Sequence, residues 1–543
     1  MVFFIFLTST FFAQKLDLYI TSLNVNDNLV LEKIAYQKKH IDSISIYIEL
    51  NRISIHLKNI GYFTHSLDSI TKTTKEYNAY FNLEDRIEEV VLKSNSDIIF
   101  LLKKHTIVED LIYVPIEKLE ILLLEISSLL DKDGRSFSKV KLKNILITGK
   151  ILFADLEIKP SEKRVLNKIL VKGYDNFPAS FIKNYFNIKS DAEINQKKIT
   201  EISNLSKGIK FIQQIKTPEI LFTKDSTLLY LYLKKHPNNS FDGLVNFASD
   251  ETGKLLFNGT IDLKFNNILD SGEKFEMFWN SIGYERQEFK ILTEIPYVFN
   301  TLITPELSFS IYKQDSSFLN TTFNSKIKYQ INDKLKVGVS YNSETSNILQ
   351  TLSSTDEIDT FNSNFIGFYL SYTIPKNDKF FNNKFHLEIK PEFGKRKIAI
   401  ASSNQFKIKA ITSYIWDINY RNSIYVKNDT GVLNSDSYLN NELFRIGGAN
   451  SIRGFNEQSV FTRNYTFFNI EYRFLTSETS YLYSITDLGK VKEEKRNLVS
   501  FGLGFKFINN KTIIDLGIVV NKEDNSQILT KNAKIIINWK VLF

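Results

Sequence analysis

The chain has 543 residues, more than one small domain holds, so two or more are expected. Its 69 basic and 61 acidic side chains leave a net charge of +8, which a Lys-rich, Asn-rich chain carries without a nucleic-acid partner. With no Cys, disulfides and thiolate metal sites are excluded, while 44 Phe and 26 Tyr against 9 Pro favour pleated, half-buried surfaces.

Residues 1–14 open with the apolar run Met1–Ala13, followed by Gln14-Lys15. An apolar run ending in a small residue is expected to be a secretory signal, although its positive n-region is missing and a true start upstream is implied. A helix-period stretch over Ser43–Asn59 ends at Gly61-Tyr62-Phe63, and candidate strands follow at Tyr62–Ile70 and Lys75–Leu83. A second helical stretch, Ile116–Leu130, ends at Gly134-Arg135-Ser136-Phe137, with strands expected at Phe137–Ile147 and Ile151–Ile158. A third unit opens with a strand at Val165–Lys172. It continues through helical stretches at Pro178–Phe186 and Ile194–Gln213 and closes on a hairpin, Glu219–Thr223 with Thr227–Lys234. The three units span 15–85, 86–162 and 163–237 and repeat one architecture of strand, helix and hairpin.

From 238 to 543 the period changes to two. In Lys254–Asn266, Leu255, Phe257, Ile261, Leu263 and Phe265 alternate with Lys254, Asn258, Thr260, Asp262 and Lys264. In Val499–Phe507 an apolar face alternates with Ser500, Gly502, Gly504 and Lys506. Successive strand residues point to opposite faces, so one face is apolar and the other carries charges and glycines. Sixteen such segments are expected, most of about 9–15 residues, the length a tilted strand needs to cross a bilayer. No stretch after the first approaches the roughly 20 apolar residues of a membrane helix, so a membrane-embedded chain must close a barrel. The longest gap between strands runs from Leu433 to Arg463. The last strand places Ala533, Ile535, Ile537, Trp539, Val541 and Phe543 on one face. A terminal aromatic behind alternating apolar residues resembles the assembly signal of outer-membrane barrels, carried here by Ile537, Trp539, Val541 and Phe543.

Within the long gap stands Gly447-Gly448-Ala449-Asn450-Ser451-Ile452-Arg453-Gly454-Phe455, followed by Asn469-Ile470-Glu471-Tyr472-Arg473-Phe474 and Ile485-Thr486-Asp487-Leu488-Gly489. This string, in the loop between strands eleven and twelve, resembles the signature of the BamA/TamA superfamily of outer-membrane assembly and secretion barrels. The resemblance implies α+β polypeptide-transport-associated (POTRA-like) periplasmic domains followed by a 16-stranded antiparallel transmembrane β-barrel. It also implies that the sixth extracellular loop folds into the lumen, where the Arg of a (V/I)RG(F/Y) tip meets an acidic residue of the wall. Carried over, Ile452, Arg453, Gly454 and Phe455 form the tip, and Gly447 and Gly448 permit tight turns before it. Asp487 is the first candidate partner, because ITDLG resembles the family's FxDxG strand motif, with Ile485 in place of Phe. Glu471 is the second, since Asn469, Glu471 and Arg473 share one face. A guanidinium forks onto a carboxylate in two parallel hydrogen bonds, which suits a lock of this kind.

No catalytic or metal motif stands out. The six His form no HExxH, neither GxSxG nor a phosphate-binding glycine loop occurs, and only His386 lies in the expected barrel. The expectation is a non-enzymatic protein without metal or cofactor, in the outer membrane of a Gram-negative bacterium. Its partners would be unfolded outer-membrane or secreted protein clients, outer-membrane lipid, and a periplasmic or inner-membrane accessory protein. The resemblance implies insertion of clients at a weak seam between Phe241–Ala248 and Ile535–Phe543. The alternatives are a two-partner-type secretion pore and, third, a passive porin.

Overall fold

The structure is a computed structural model that describes residues 16–94, 106–108, 111–189, 192–224, 226–249, 255–282, 286–350, 357–376, 378, 380–492, 497–523 and 533–543. The expected signal segment 1–14 lies outside the described residues. The chain divides into two compact units, one of residues 1–166 with 193–196, the other of 167–192 with 197–543.

The first unit holds two small sheets built alike. In each, the opening strand lies parallel beside the second strand of a hairpin, and a helix covers one face. The opening strand Leu16–Thr21 pairs in parallel with Glu76–Asn82, which pairs antiparallel with Ser66–Lys72. Likewise Glu89–Lys93 runs parallel to Ile151–Lys159, itself antiparallel to Lys139–Thr148. The covering helix Ser43–Asn59 starts where the Asp42 side chain accepts a hydrogen bond from the Ser45 N–H. Its buried Ile46, Leu50, Ile53 and Leu57 recur every three or four residues and pack on Leu18, Tyr77, Ala79 and Phe81. It stops before Gly61, whose φ of +106° an L side chain avoids and whose Cβ would lie 2.2 Å from the Ile87 carbonyl oxygen. The matching helix Leu119–Lys132 stops before Gly134, at φ +74°.

The second unit contains a third sheet of the same plan and the barrel. Lys168–Lys172 lies parallel to Thr227–Lys235, which pairs antiparallel with Ile212–Phe222. Three details differ from the sequence expectation. The first strand begins at Lys168, and Val165 makes only an isolated bridge with Glu193. The stretch expected to be helical at Pro178–Phe186 is helical, but with π geometry at Phe181–Tyr185, and the second helix is shorter than expected, Gln196–Gly208. The hairpin strand starts at Ile212, seven residues before Glu219. It passes Pro218 by register shifts, as an edge strand that tolerates a residue without an N–H.

Sixteen antiparallel strands close the barrel. They are β1 (Ser240–Ser249), β2 (Leu255–Asn266), β3 (Lys274–Ile282), β4 (Arg286–Glu294), β5 (Ile303–Gln314), β6 (Phe318–Gln330), β7 (Leu335–Ile348) and β8 (Phe361–Pro375). The circuit continues with β9 (Asn383–Ile398), β10 (Ala401–Asp417), β11 (Asn422–Ser435), β12 (Asn464–Ser477), β13 (Ser480–Val491), β14 (Asn497–Asn509), β15 (Thr512–Glu523) and β16 (Lys534–Leu542). Alternation sorts the faces: Ile366, Phe368, Trp416 and Leu503 point outward and stay exposed, while Glu392, Arg396, Glu471 and Asp487 are buried inside. No described helix is long and apolar enough to cross a membrane.

The third sheet is seated on the near end of the barrel, at the turns after β2 and β4. Tyr174 donates to Asp270 and accepts from the Asn267 amide at 2.6 Å. Phe181 stacks edge-on against Tyr297 at 5.1 Å and fills the space that a Cβ on Gly272 would need. Both turns use left-handed backbone, at Asn267, Asp270, Gly272, Tyr297, Phe299 and Asn300.

Candidate functional site

At the far end of the barrel, the long connection from β11 to β12 folds as a short hairpin, Phe444–Ile446 with Val460–Thr462, whose tip turns back against the wall. Gly447 and Gly448 take φ of +109° and +101°. The Gly447 N–H donates to Ser451 Oγ at 3.1 Å, and the Gly448 N–H to the Ile452 carbonyl at 3.1 Å. This tight turn delivers Ile452–Phe455 to β12, β13 and β14. Ile452 is fully buried with Phe444, Ile446, Phe455, Tyr465 and Phe467. It presses on Gly489 of β13, where a Cβ would stand 2.4 Å from Ile452 Cδ1. Gly454, at φ +88°, faces Asn521, Ser500 and Val519, each within 3.4 Å of where a Cβ would be.

Arg453 lies between two strands. Its Nε donates to Asp487 Oδ2 at 2.9 Å and its Nη2 to Asp487 Oδ1 at 2.6 Å, the two-pronged geometry of an arginine–carboxylate fork. Its backbone N–H also donates to Asp487 Oδ2, at 2.8 Å. Its Nη1 donates to Glu471 Oε1 at 2.6 Å. Glu471 in turn accepts from Arg473 Nε at 2.8 Å, and the Arg473 guanidinium lies over the rings of Tyr425 and Phe381 at 3.9 and 4.5 Å. The Ser500 hydroxyl donates to the Arg453 carbonyl. Two guanidinium groups and two carboxylates therefore balance inside the wall, where an uncompensated charge would be costly. Strand register explains the assembly: Asn469 pairs with Asp487, Asp487 with Ser500, and Glu471 and Arg473 follow on the same lumen face of β12.

The structure thus brings Arg453 to both candidate carboxylates, with Asp487 holding the fork and Glu471 the third nitrogen. The other expected residues lie apart: Ile535, Ile537 and Trp539 of β16 face outward at 74, 70 and 62 % exposure, with Val541 and Phe543 on the same face. Phe543 meets Phe265 of β2 edge-on, 6.1 Å between ring centres.

Three contacts were not legible as site residues. Arg473 and Asn469 complete the network, the latter donating to the Ser451 carbonyl at 2.9 Å; their place on the face of Glu471 was the available signal. A second anchor joins Glu442 at the base of the loop to Arg396 of β9 and to Gln405 of β10, the latter at 2.8 Å. Burial holds the Glu442 carboxyl above its usual pKa, against the hydrogen bond from Gln405. A third anchor crosses to β4, where Gln458 donates to Glu288 at 2.7 Å and Arg286 to the Glu457 carbonyl.

The barrel closes unevenly. Among the described residues, β1 and β16 share two register pairs, Ser240 with Leu542 and Phe241 with Val541, whereas β1 shares ten with β2 and β16 eight with β15.

No protein-family model matches the chain. No curated protein matches it either. Among solved structures, CdiB from Acinetobacter baumannii is similar over 91% of this chain and 97% of its own, at 13% identity and a TM-score of 0.52. CdiB from Escherichia coli is similar over 91% of this chain and 96% of its own, at 13% identity and a TM-score of 0.51. The likeness to these two CdiB structures is one of fold. A BamA from Haemophilus ducreyi lacking POTRA domains 1–3 also matches, over 78% of this chain and 93% of that one, at 12% identity and a TM-score of 0.45. In this chain three small sheets precede the barrel, and Arg453 lies on the loop between β11 and β12.

Proposed function

We propose that this protein is a non-enzymatic assembly factor in the outer membrane of a Gram-negative bacterium, with its POTRA-like domains in the periplasm. Unfolded outer-membrane clients are received there and inserted at the seam between β1 and β16. The observation that supports this reading is the two-pair closure of that seam. Backbone groups left unpaired at a strand edge are costly in lipid and favour pairing with an incoming strand. The interior network around Arg453 holds β12, β13 and β14 together, so the wall opposite the loop stays rigid while the seam yields. A secretion pore is the second reading, supported by the polar lumen wall and by a far end occupied by a loop pinned at three places.

The native chain has no Cys, so Phe241→Cys with Val541→Cys introduces the sole thiol pair, at facing positions where antiparallel Cα atoms lie about 4.5–5.5 Å apart. Reduced protein in liposomes is expected to speed insertion of an unfolded barrel client. Oxidation should cut that rate about tenfold or more, and reductant should restore it. Equal rates in both states would rule out templating at the seam. No acceleration, together with export of one partner, would favour the pore.

A further inference from the structure

A cavity of about 640 Å³ lies between the third POTRA-like unit and the periplasmic mouth of the barrel, within the roughly 300–1,000 Å³ of small-ligand sites. Tyr185, Tyr297 and Tyr369 contribute aromatic wall. Lys207 and Lys210 reach it from the third unit, Lys334 and Lys336 from the turn and strand at β7. Among the described residues none of these four lysines has a carboxylate at ion-pair distance. Of the three carboxylates in the lining, Glu294 is taken by Lys328 at 2.9 Å and Asp378 faces Lys376 at 3.6 Å. Asp333 remains, one carboxylate against four ammonium groups. Past the cavity the charge evens out: of the lysines around Lys210, Lys274 pairs with Glu276 and Lys264 with Asp262, each at 2.8 Å. Desolvation by the surrounding walls, then those lysines, hold the Lys210 ammonium below its usual pKa. Like charges gathered in a concave wall focus a positive potential into it. The unpaired positive charge is therefore concentrated in the cavity itself, on Lys207, Lys210, Lys334 and Lys336.

We propose that this cavity receives an acidic, extended segment of the client polypeptide. A small anion would need one or two cations. Four lysines and three tyrosines around one cavity suit the alternating carboxylates and side chains of a strand-like peptide. The proposal deepens the assembly reading and rests on it, because it takes unfolded chains to enter from this end.

The test uses the full-length protein in detergent and two fluorescent ten-residue peptides, one alternating Glu with Tyr, the other Lys with Tyr. The Glu peptide is expected to bind about tenfold tighter, and to lose that margin at high salt. Lys210→Glu with Lys336→Glu should abolish the preference, and Lys210→Gln with Lys336→Gln should reduce it. A folded barrel is checked by its heat-modifiable migration, and if the Glu variant misfolds the Gln variant decides. Equal affinity for both peptides, or unchanged affinity in the folded variant, overturns the proposal. Displacement of the Glu peptide by inorganic phosphate at matched ionic strength also overturns it, assigning the site to a small anion. Liposome insertion is measured in parallel. Acceleration without a peptide preference removes the cavity and leaves the assembly reading, whereas a preference without acceleration does the reverse.

Discussion

Arg453 shows how a single side chain holds the 28-residue loop 436–463. It is buried, yet it spends its charge on two carboxylates and its backbone N–H on one of them. Asp487 is fully buried, so removing the arginine leaves a carboxylate without its counter-charge. Arg453→Ala is expected to cost about 3–5 kcal/mol, the penalty of breaking a buried pair by deleting one partner. It should appear as a lower temperature for the loss of heat-modifiable migration. The double variant Arg453→Cys with Asp487→Cys should cross-link in the folded barrel, and absence of the cross-link would remove the interior lock. Gly489 sets a second residue-scale limit. Gly489→Val would drive Ile452 off the wall, at about 1–3 kcal/mol for overpacking, and protease should then cleave within 447–459 faster than in the parent.

At the scale of elements, alternation and helical period were strong where a segment faces two different environments. Ser43–Asn59 was predicted to the residue, because one face packs on Leu18 and Phe81 and the other is wet. The short central strands escaped notice. In Glu89–Lys93, flanked by Leu111–Pro115 and Ile151–Lys159, the three middle residues are all buried, and a continuous apolar run of that length carries no period. Pro218 hid the first half of its strand for the opposite reason, as a local breaker that an edge position tolerates. Gly61 ends its helix under both constraints at once, a left-handed backbone and a carbonyl at contact distance. Gly61→Ala is therefore expected to lower the first domain's unfolding free energy by about 1–3 kcal/mol, read as faster amide exchange in 43–59 than in the parent.

At the scale of the whole molecule, the third POTRA-like unit belongs with the barrel. The contact is small but specific: Tyr174 with Asp270 and Asn267, Lys235 with Asp270 at 3.1 Å, and Phe181 with Gly272 and Tyr297. The Tyr174 hydroxyl, then Lys235, hold the Asp270 carboxyl below its usual pKa. A depressed carboxyl stabilises the state in which it is charged. The contact is thus complete above the ordinary Asp value of about 4 and is lost as pH falls through the lower folded value. Tyr174→Phe keeps the ring and removes the hydroxyl. It is expected to cost about 1–3 kcal/mol by leaving Asn267 short of a partner, and to make cleavage between 236 and 240 faster in limited proteolysis. Burial raises the Tyr174 pKa, so the hydroxyl stays neutral at every pH at which this test is run.

The sequence by itself determined the barrel. Charges and glycines alternating with apolar residues over sixteen segments fit one wall with lipid outside and a polar lumen inside, and no described helix is long and apolar enough to cross a membrane. The meeting of Arg453 with an acidic residue of the wall was implied by the resemblance of the loop motif, with Asp487 and Glu471 as its candidates. Three things needed tertiary structure. The division of Arg453 between Asp487 and Glu471 depends on the depth to which the loop descends, which Gly489 and Ile452 set across strands. The weakness of the β1–β16 seam depends on the register at which two strands 300 residues apart meet. The basic cavity is built from lysines of the third unit and of the β7 region that share no sequence pattern, since a concave charge distribution is a property of packing and leaves no period along the chain.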